Sequence, residues 1–149
     1  MIETADLAKI SLFRDLSTEE LETIRRLMFE RTFRAGHTLF MEGMQGEVFY
    51  LVKSGRIDIL KKRSGRDLPI ASLGAGDFVG EMAIIDEEPR SATAKVAEDA
   101  ELIIVTRKAF AEMMRAIPEG AAQMLLAILN IVNRRLRQTN RTRAETRRP

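Results

Sequence analysis

Gly80–Ala94 reads GEMAIIDEEPRSATA. It sets a carboxylate, Glu81, and a guanidinium, Arg90, nine residues apart around a small apolar segment and the acidic loop Asp86-Glu87-Glu88. Charges that only decorate a surface need no such arrangement; charges that grip one small ligand do. Phe78-Val79 reads as the end of a strand, and Gly80–Ile85 predicts one or two helical turns. The amino end of a helical turn presents free N–H groups and a partial positive charge, which suits an anion. Gly80 lets backbone approach that anion closely, having no Cβ. Pro89 redirects the chain so that Arg90 returns to the same spot, where its guanidinium can fork onto phosphate oxygens. Glu81 would repel a phosphate, so beside one it accepts hydrogen bonds from a ribose hydroxyl instead. Phosphate and ribose hydroxyl together describe a compact nucleotide.

Outward from this stretch, the pattern from about Phe29 to Thr106 has a period near two. RAGHTLFMEG, EVFYLVKSG, RIDILKKRSG, LPIASLGAGD, TAKVAED and ELIIVTR read as short strands. Gly36, Gly43, Gly46, Gly55, Gly65, Gly74 and Gly76 separate them. Regularly spaced short strands with glycine turns predict an antiparallel sandwich or barrel rather than a βαβ sheet. Ser64-Gly65 predicts a hairpin turn. Before the strands, Ser17-Thr18-Glu19-Glu20 places a hydroxyl three residues ahead of a carboxylate. That is a helix start, continued by Leu21, Ile24, Leu27 and Met28.

After the strands, Lys108–Ala116 predicts a short helix, and Pro118 stands near the first turn of a long one. The long helix has two apolar stripes. Met124, Ile128 and Ile131 share one face; Ala122, Leu125, Leu129, Val132, Leu136 and Thr139 share another at alternating spacings of three and four. One face suits the barrel and the other a second copy of the chain. A homodimer through Leu125, Leu129, Val132 and Leu136 is therefore expected. Beyond Thr139 the apolar content gives out and the helix is expected to fray.

With 149 residues, one domain is expected: a helical segment 1–28, a β-barrel 29–106 containing the stretch 78–94, helices 107–140 and a basic tail 141–149. A 45% apolar content excludes wholesale disorder. The absence of cysteine removes disulfides and thiolate metal sites, and the sole histidine, His37, lacks partners for a metal. No Ser-His pairing or carboxylate pair points to catalysis, so an enzyme is not expected. The N-terminus lacks a signal-peptide core. The longest apolar stretch, Ala121–Val132, is too short to span a bilayer, so a cytoplasmic protein without a membrane partner is expected. The net charge of +2 hides an asymmetry: residues 134–149 hold seven Arg and one Glu, leaving the rest at about −4. A nucleic-acid footprint over the whole domain is not expected. The arginine-rich end reads as a solvated helix terminus whose cations complement the dipole.

FVGEMAIIDEEPRSATAKV, Phe78–Val96, closely resembles the phosphate-binding cassette of cyclic nucleotide-binding domains. RAGHTLFMEG and GEVFYLVKSGRIDIL are similar to the family's early barrel strands, with Gly36, Gly43 and Gly55 at its turns. The resemblance covers roughly Leu12 to Asn140. It implies a mainly β fold with flanking helices: an antiparallel β jelly-roll (double-stranded β-helix) barrel, N-terminal helices and a long C-terminal helix. It also implies that Gly80 and the amides of Glu81, Met82 and Ala83 line a phosphate. Glu81 would take the ribose 2′-hydroxyl, Arg90 the exocyclic phosphate oxygens, and Ser91 would add a hydroxyl or amide.

RRLRQTN, Arg134–Asn140, resembles the end of the dimerisation helix in bacterial catabolite-activator-type regulators. By that resemblance Thr139 would contact adenine. Asn140, where the family usually has Ser, would reach it from the other subunit. Such regulators continue into a helix-turn-helix domain, whereas this sequence stops at Pro149. The ligand expected is cyclic AMP, with cyclic GMP as the alternative that Ser91 could also serve. The expected function is a sensor module for signal transduction, in which ligand binding rearranges the C-terminal helix and so acts on an output protein. Two alternatives stand beside it. One is a ligand-free dimerisation module in which Glu81 and Arg90 form an internal ion pair; the other is an accessory nucleic-acid binder using the tail.

Overall fold

In the computed structural model of the chain, Ser17 opens α2 (Thr18–Arg25) as the sequence predicts. Its hydroxyl accepts from the Glu20 amide at 3.1 Å, and the Glu20 carboxylate accepts from the Ser17 amide at 3.0 Å. A short α1 (Thr4–Ala8) and a 3-10 turn, Ser11–Phe13, precede it. The structure describes residues 2–84 and 86–147, without the side chains of 84, 139 and 141–147.

Among the described residues six strands follow: β1 (Phe29–Phe33), β2 (Thr38–Phe40), β3 (Val48–Arg63), β4 (Arg66–Leu73), β5 (Phe78–Val79) and β6 (Thr93–Thr106). All pairings are antiparallel, in the order β1-β6-β3-β4, with β2 also on β6 and β5 on β3. This is the jelly-roll fold with flanking helices. Ser64 (φ 53°) and Gly65 (φ 77°) make the predicted hairpin turn between β3 and β4.

Two of the expected strand breaks are absent. EVFYLVKSG and RIDILKKRSG form one 16-residue strand, and TAKVAED and ELIIVTR one 14-residue strand. The two pair from Val48↔Thr106 to Leu60↔Thr93, so each holds the other extended through its irregular centre. Gly55 bends β3 there without ending it. At φ +92° a Cβ would lie 2.5 Å from the Asp99 carbonyl oxygen, so only glycine lets the strands stay together. RAGHTLFMEG, by contrast, keeps only Thr38–Phe40 as strand, and β1 lies ahead of all six predicted segments.

Alternation along β3 divides the interior in two. Phe49 and Leu51 point to the helices and pack with Phe13, Ile24, Phe78, Phe110, Met113, Met124 and Ile128. Tyr50 and Val52 point into the barrel with Ile57, Val96, Leu102 and Ile104. Each fully buried side chain of this size contributes about 1.5–3 kcal/mol.

Two helices complete the chain, α3 (Arg107–Ala116) and α4 (Pro118–Arg147). Met124 and Ile128 of α4 are buried on the helical core and Ile131 packs against it, as the first stripe predicts. The second stripe divides: Leu125 and Val132 are half-buried, while Leu129 and Leu136 are exposed, as is Leu126 beside them. α4 continues past Thr139, where fraying was expected, because Arg, Ala and Glu supply helix propensity there.

Candidate functional site

β5 brings Phe78 and Val79, both buried, to one end of the barrel. Gly80 at φ +83° then turns the backbone into a 3-10 turn, Glu81–Ile84. This turn is tighter than the α-helical turns expected. It closes with Ala83 N–H donating to the Gly80 carbonyl at 3.1 Å. The Ala83 amide, expected to face a phosphate, therefore serves the turn, while the amides of Glu81 and Met82 precede that bond.

Arg90 is positioned by its own backbone. Its N–H donates to the Met44 carbonyl at 2.8 Å, and its carbonyl accepts from Gly43 N–H at 2.8 Å. The side chain turns inward and is 8% exposed. Nη1 donates to the Gly80 carbonyl at 3.1 Å and Nη2 to the Val48 carbonyl at 2.7 Å. The guanidinium lies 4.1 Å from the centre of the Phe40 ring, which stacks in turn on Tyr50. Gly46 sits so close that a Cβ there would overlap the guanidinium. Nε is buried and has no partner among the described residues. Desolvation lowers the Arg90 pKa, against the opposing pull of Tyr50 and Glu81.

A buried cation bonded to two neutral carbonyls, with one N–H unpaired, is a costly arrangement without an anion. The residues present therefore fit a phosphate. They do not fit the internal Glu81–Arg90 ion pair weighed from the sequence. The Glu81 carboxylate, also buried, instead accepts from Nη1 of Arg135 on α4 at 3.2 Å. Nη2 of Arg135 donates to the Phe78 carbonyl at 3.1 Å.

The structure thus brings Gly80, Glu81 and Arg90 together. Met82 and Ser91 are exposed, and the Ser91 carbonyl accepts from Lys61 at 3.0 Å. Asn140 is exposed on α4; the side chains of Thr139 and of 141–147, and residues 148–149 altogether, lie outside the described residues.

Phe40, Gly46, the Val48 carbonyl, Arg107 and Arg135 were not among the site residues read from the sequence. Arg135 had a signal, standing one helical turn before Thr139 in RRLRQTN. A backbone carbonyl has none. Among the described residues no cluster of His, Cys, Asp or Glu could hold a metal, and no helix is long and apolar enough to cross a membrane.

A family profile described as "Cyclic nucleotide-binding domain" matches residues 30–116, which include all but the first residue of the barrel strands, with Gly80–Arg90 inside the match. The chain belongs to the cyclic nucleotide-binding domain family. It is 34% identical over 130 residues to the cyclic AMP receptor protein of Thermus thermophilus, covering 87% of this chain and 58% of that one. The crystal structure of the catabolite activator protein of Thermus thermophilus matches with a TM-score of 0.79 and 29% identity, over 91% of this chain and 62% of that one. A cyclic nucleotide-binding domain from Methylobacillus flagellatus matches with a TM-score of 0.85 and 25% identity, over 98% of this chain and 83% of that one. The chain thus spans about three-fifths of the length of its curated relative.

Proposed function

We propose that the chain is a sensor that binds a cyclic purine mononucleotide, 3′,5′-cyclic AMP ahead of cyclic GMP, and reports occupancy through α4. The observation that carries this reading is Arg90: a buried guanidinium that has, among the described residues, an unpaired Nε and no carboxylate bonded to it, cradled where Gly46 and Gly80 leave room. The exocyclic phosphate supplies the anion that this cation lacks. Gly80 and the amides of Glu81 and Met82 approach it from the other side, and Ser91 adds a hydroxyl. Ala83 joins them if its turn bond to Gly80 opens. Glu81 takes the ribose 2′-hydroxyl. The preference for adenine rests on Thr139, with Asn140 contributed by a second subunit, and on the likeness to a protein named for cyclic AMP.

Coupling to α4 is supported by the bond between Arg135 and Glu81. A ribose hydroxyl on the same carboxylate changes what α4 is tied to, so ligand and helix position become linked. Leu129 and Leu136 leave an apolar face on α4 that suits a second copy of the chain. The module then acts in the cytoplasm, without catalysis of its own, on an output protein that α4 engages.

The test is calorimetric titration of cyclic AMP and cyclic GMP into protein stripped of co-purified nucleotide, with Arg90→Ala in parallel. Removing the phosphate's cationic partner should cost about 2–5 kcal/mol, roughly 30-fold or more in affinity. Failure of the stripped wild type to bind either nucleotide would overturn the reading.

A further inference from the structure

Arg107 is the first residue of α3, where the helix's own partial charge disfavours a cation. No acidic residue balances it in that first turn. Its side chain reaches away from α3 altogether. Nε donates to the Ala83 carbonyl at 2.8 Å and Nη2 to the Asp86 carbonyl at 2.9 Å, with Nη1 3.7 Å from the Glu87 carboxylate. The Ala83 carbonyl lies at the end of the 3-10 turn away from Gly80, where the last oxygens of a helical turn lack partners within it, and the Asp86 carbonyl lies two residues past that end. The backbone of the same residue serves the opposite wall. Its N–H donates to the Glu47 carbonyl at 2.7 Å, next to Val48, whose carbonyl holds Arg90.

One residue therefore ties the far end of the cassette turn to the wall that carries Arg90. We infer that Arg107 is a positioning residue for the anion site, holding the turn so that its Gly80–Met82 end and the Arg90 guanidinium face one point. The inference rests on reading Gly80–Arg90 as the cyclic nucleotide's phosphate site. The role needs a planar fork. Two carbonyls three residues apart take two separate N–H groups, whereas a lysine offers one compact, strongly hydrated charge.

The experiment compares wild type with Arg107→Gln, Arg107→Lys and, as control, Lys108→Gln, which alters the exposed neighbour. Two readouts are taken after circular dichroism shows each variant folded: amide hydrogen exchange over residues 80–90 without nucleotide, and affinity for cyclic AMP. Arg107→Gln should speed exchange in that segment and leave the barrel strands protected. It should weaken cyclic AMP about tenfold, or about 1.4 kcal/mol. Arg107→Lys should recover part of both, and Lys108→Gln should change neither. Unchanged exchange in Arg107→Gln overturns the positioning role whatever the nucleotide does. Faster exchange with undiminished cyclic AMP affinity overturns it too. Wild type that fails to bind cyclic AMP removes the nucleotide reading instead, and exchange still decides whether Arg107 fixes the turn.

Discussion

Arg135 and Glu81 are 54 residues apart in the chain and 3.2 Å apart in space, and their bond joins α4 to the first residue of the cassette turn. Glu81 contributes a nearly buried carboxylate, Arg135 a side chain about one-third exposed. The guanidinium also bonds the Phe78 carbonyl and lies 5.3 Å from the Phe78 ring centre, so it grips strand, ring and carboxylate together. If, as proposed, a ribose hydroxyl takes the same carboxylate, the ligand changes what α4 is tied to.

Arg135→Ala leaves the Glu81 carboxylate buried without this partner. Because the arginine is partly solvated, the cost should be about 1–2 kcal/mol, below that of breaking a fully buried pair. Thermal unfolding would show a midpoint several degrees lower. Hydrogen exchange of α4 in the variant should become insensitive to cyclic AMP while the wild type responds. A variant whose α4 still responds as wild type does would show that the coupling runs elsewhere.

Gly46→Ala tests the cradle. The backbone of Gly46 does not need a positive φ, so alanine is tolerated there by the chain itself. Its Cβ, however, would occupy the space of the Arg90 guanidinium. The far end of that side chain must move, away from its bonds to Gly80 and Val48. The expected result is a loss of cyclic AMP affinity of tenfold or more, with a change in stability of about 1–2 kcal/mol. Calorimetry and thermal melts on the same preparation separate the two, and unaltered affinity would contradict the cradle.

Much of this was legible in the sequence because it rests on local rules. The Ser17 capping box, the Ser64-Gly65 turn and the buried stripe of Met124 and Ile128 are each written within a few residues, and Gly80 and Arg90 within one short segment. The continuous β3 and β6 were not. Gly55 reads locally as a stop, and only the pairing of two long strands overrides it. Phe40, Gly46 and the Val48 carbonyl escaped for a similar reason. They meet Arg90 across 40 to 50 positions, and neither a ring beneath a guanidinium nor a carbonyl has a spacing to read. Arg107 closes the segment ELIIVTR and Arg135 stands in the arginine-rich RRLRQTN, and neither pattern shows the carbonyl and carboxylate partners that the fold supplies.

Alkaline pH should weaken the fold through β3. Burial raises the Tyr50 pKa, outweighing the opposite pull of Arg90 and Arg31. Hydrogen bonds to Glu30 and Asp6 raise that of Lys53, which also lies 3.5 Å from Glu101. In both cases the folded state holds its proton more tightly than the unfolded chain. The resulting stability is fully present below the unfolded values, about 10 for Tyr and 10.4 for Lys, and is lost as pH rises through the folded ones. Melting midpoints should fall above about pH 10, and Tyr50→Phe should make the fall shallower. An equally steep decline in Tyr50→Phe would remove Tyr50 from the account.

Leu126, Leu129 and Leu136 are 60%, 54% and 56% exposed on α4, while Met124 and Ile128 of the same helix are buried. A helix buried on one side and apolar on part of the other suits a partner helix, and the spacing of Leu125, Leu129, Val132 and Leu136 is that of a two-helix seam. If a second copy covers this face, Leu129→Glu brings two like charges together across it and exposes no new surface in the single chain. Sedimentation of the wild type should then give twice the chain mass of 16.9 kDa, and of Leu129→Glu the single mass. The wild-type melting midpoint should rise with concentration and that of the variant should not. A wild type that sediments as a single chain at about 50 μM, several hundredfold above a dissociation constant of about 100 nM, would overturn the homodimer.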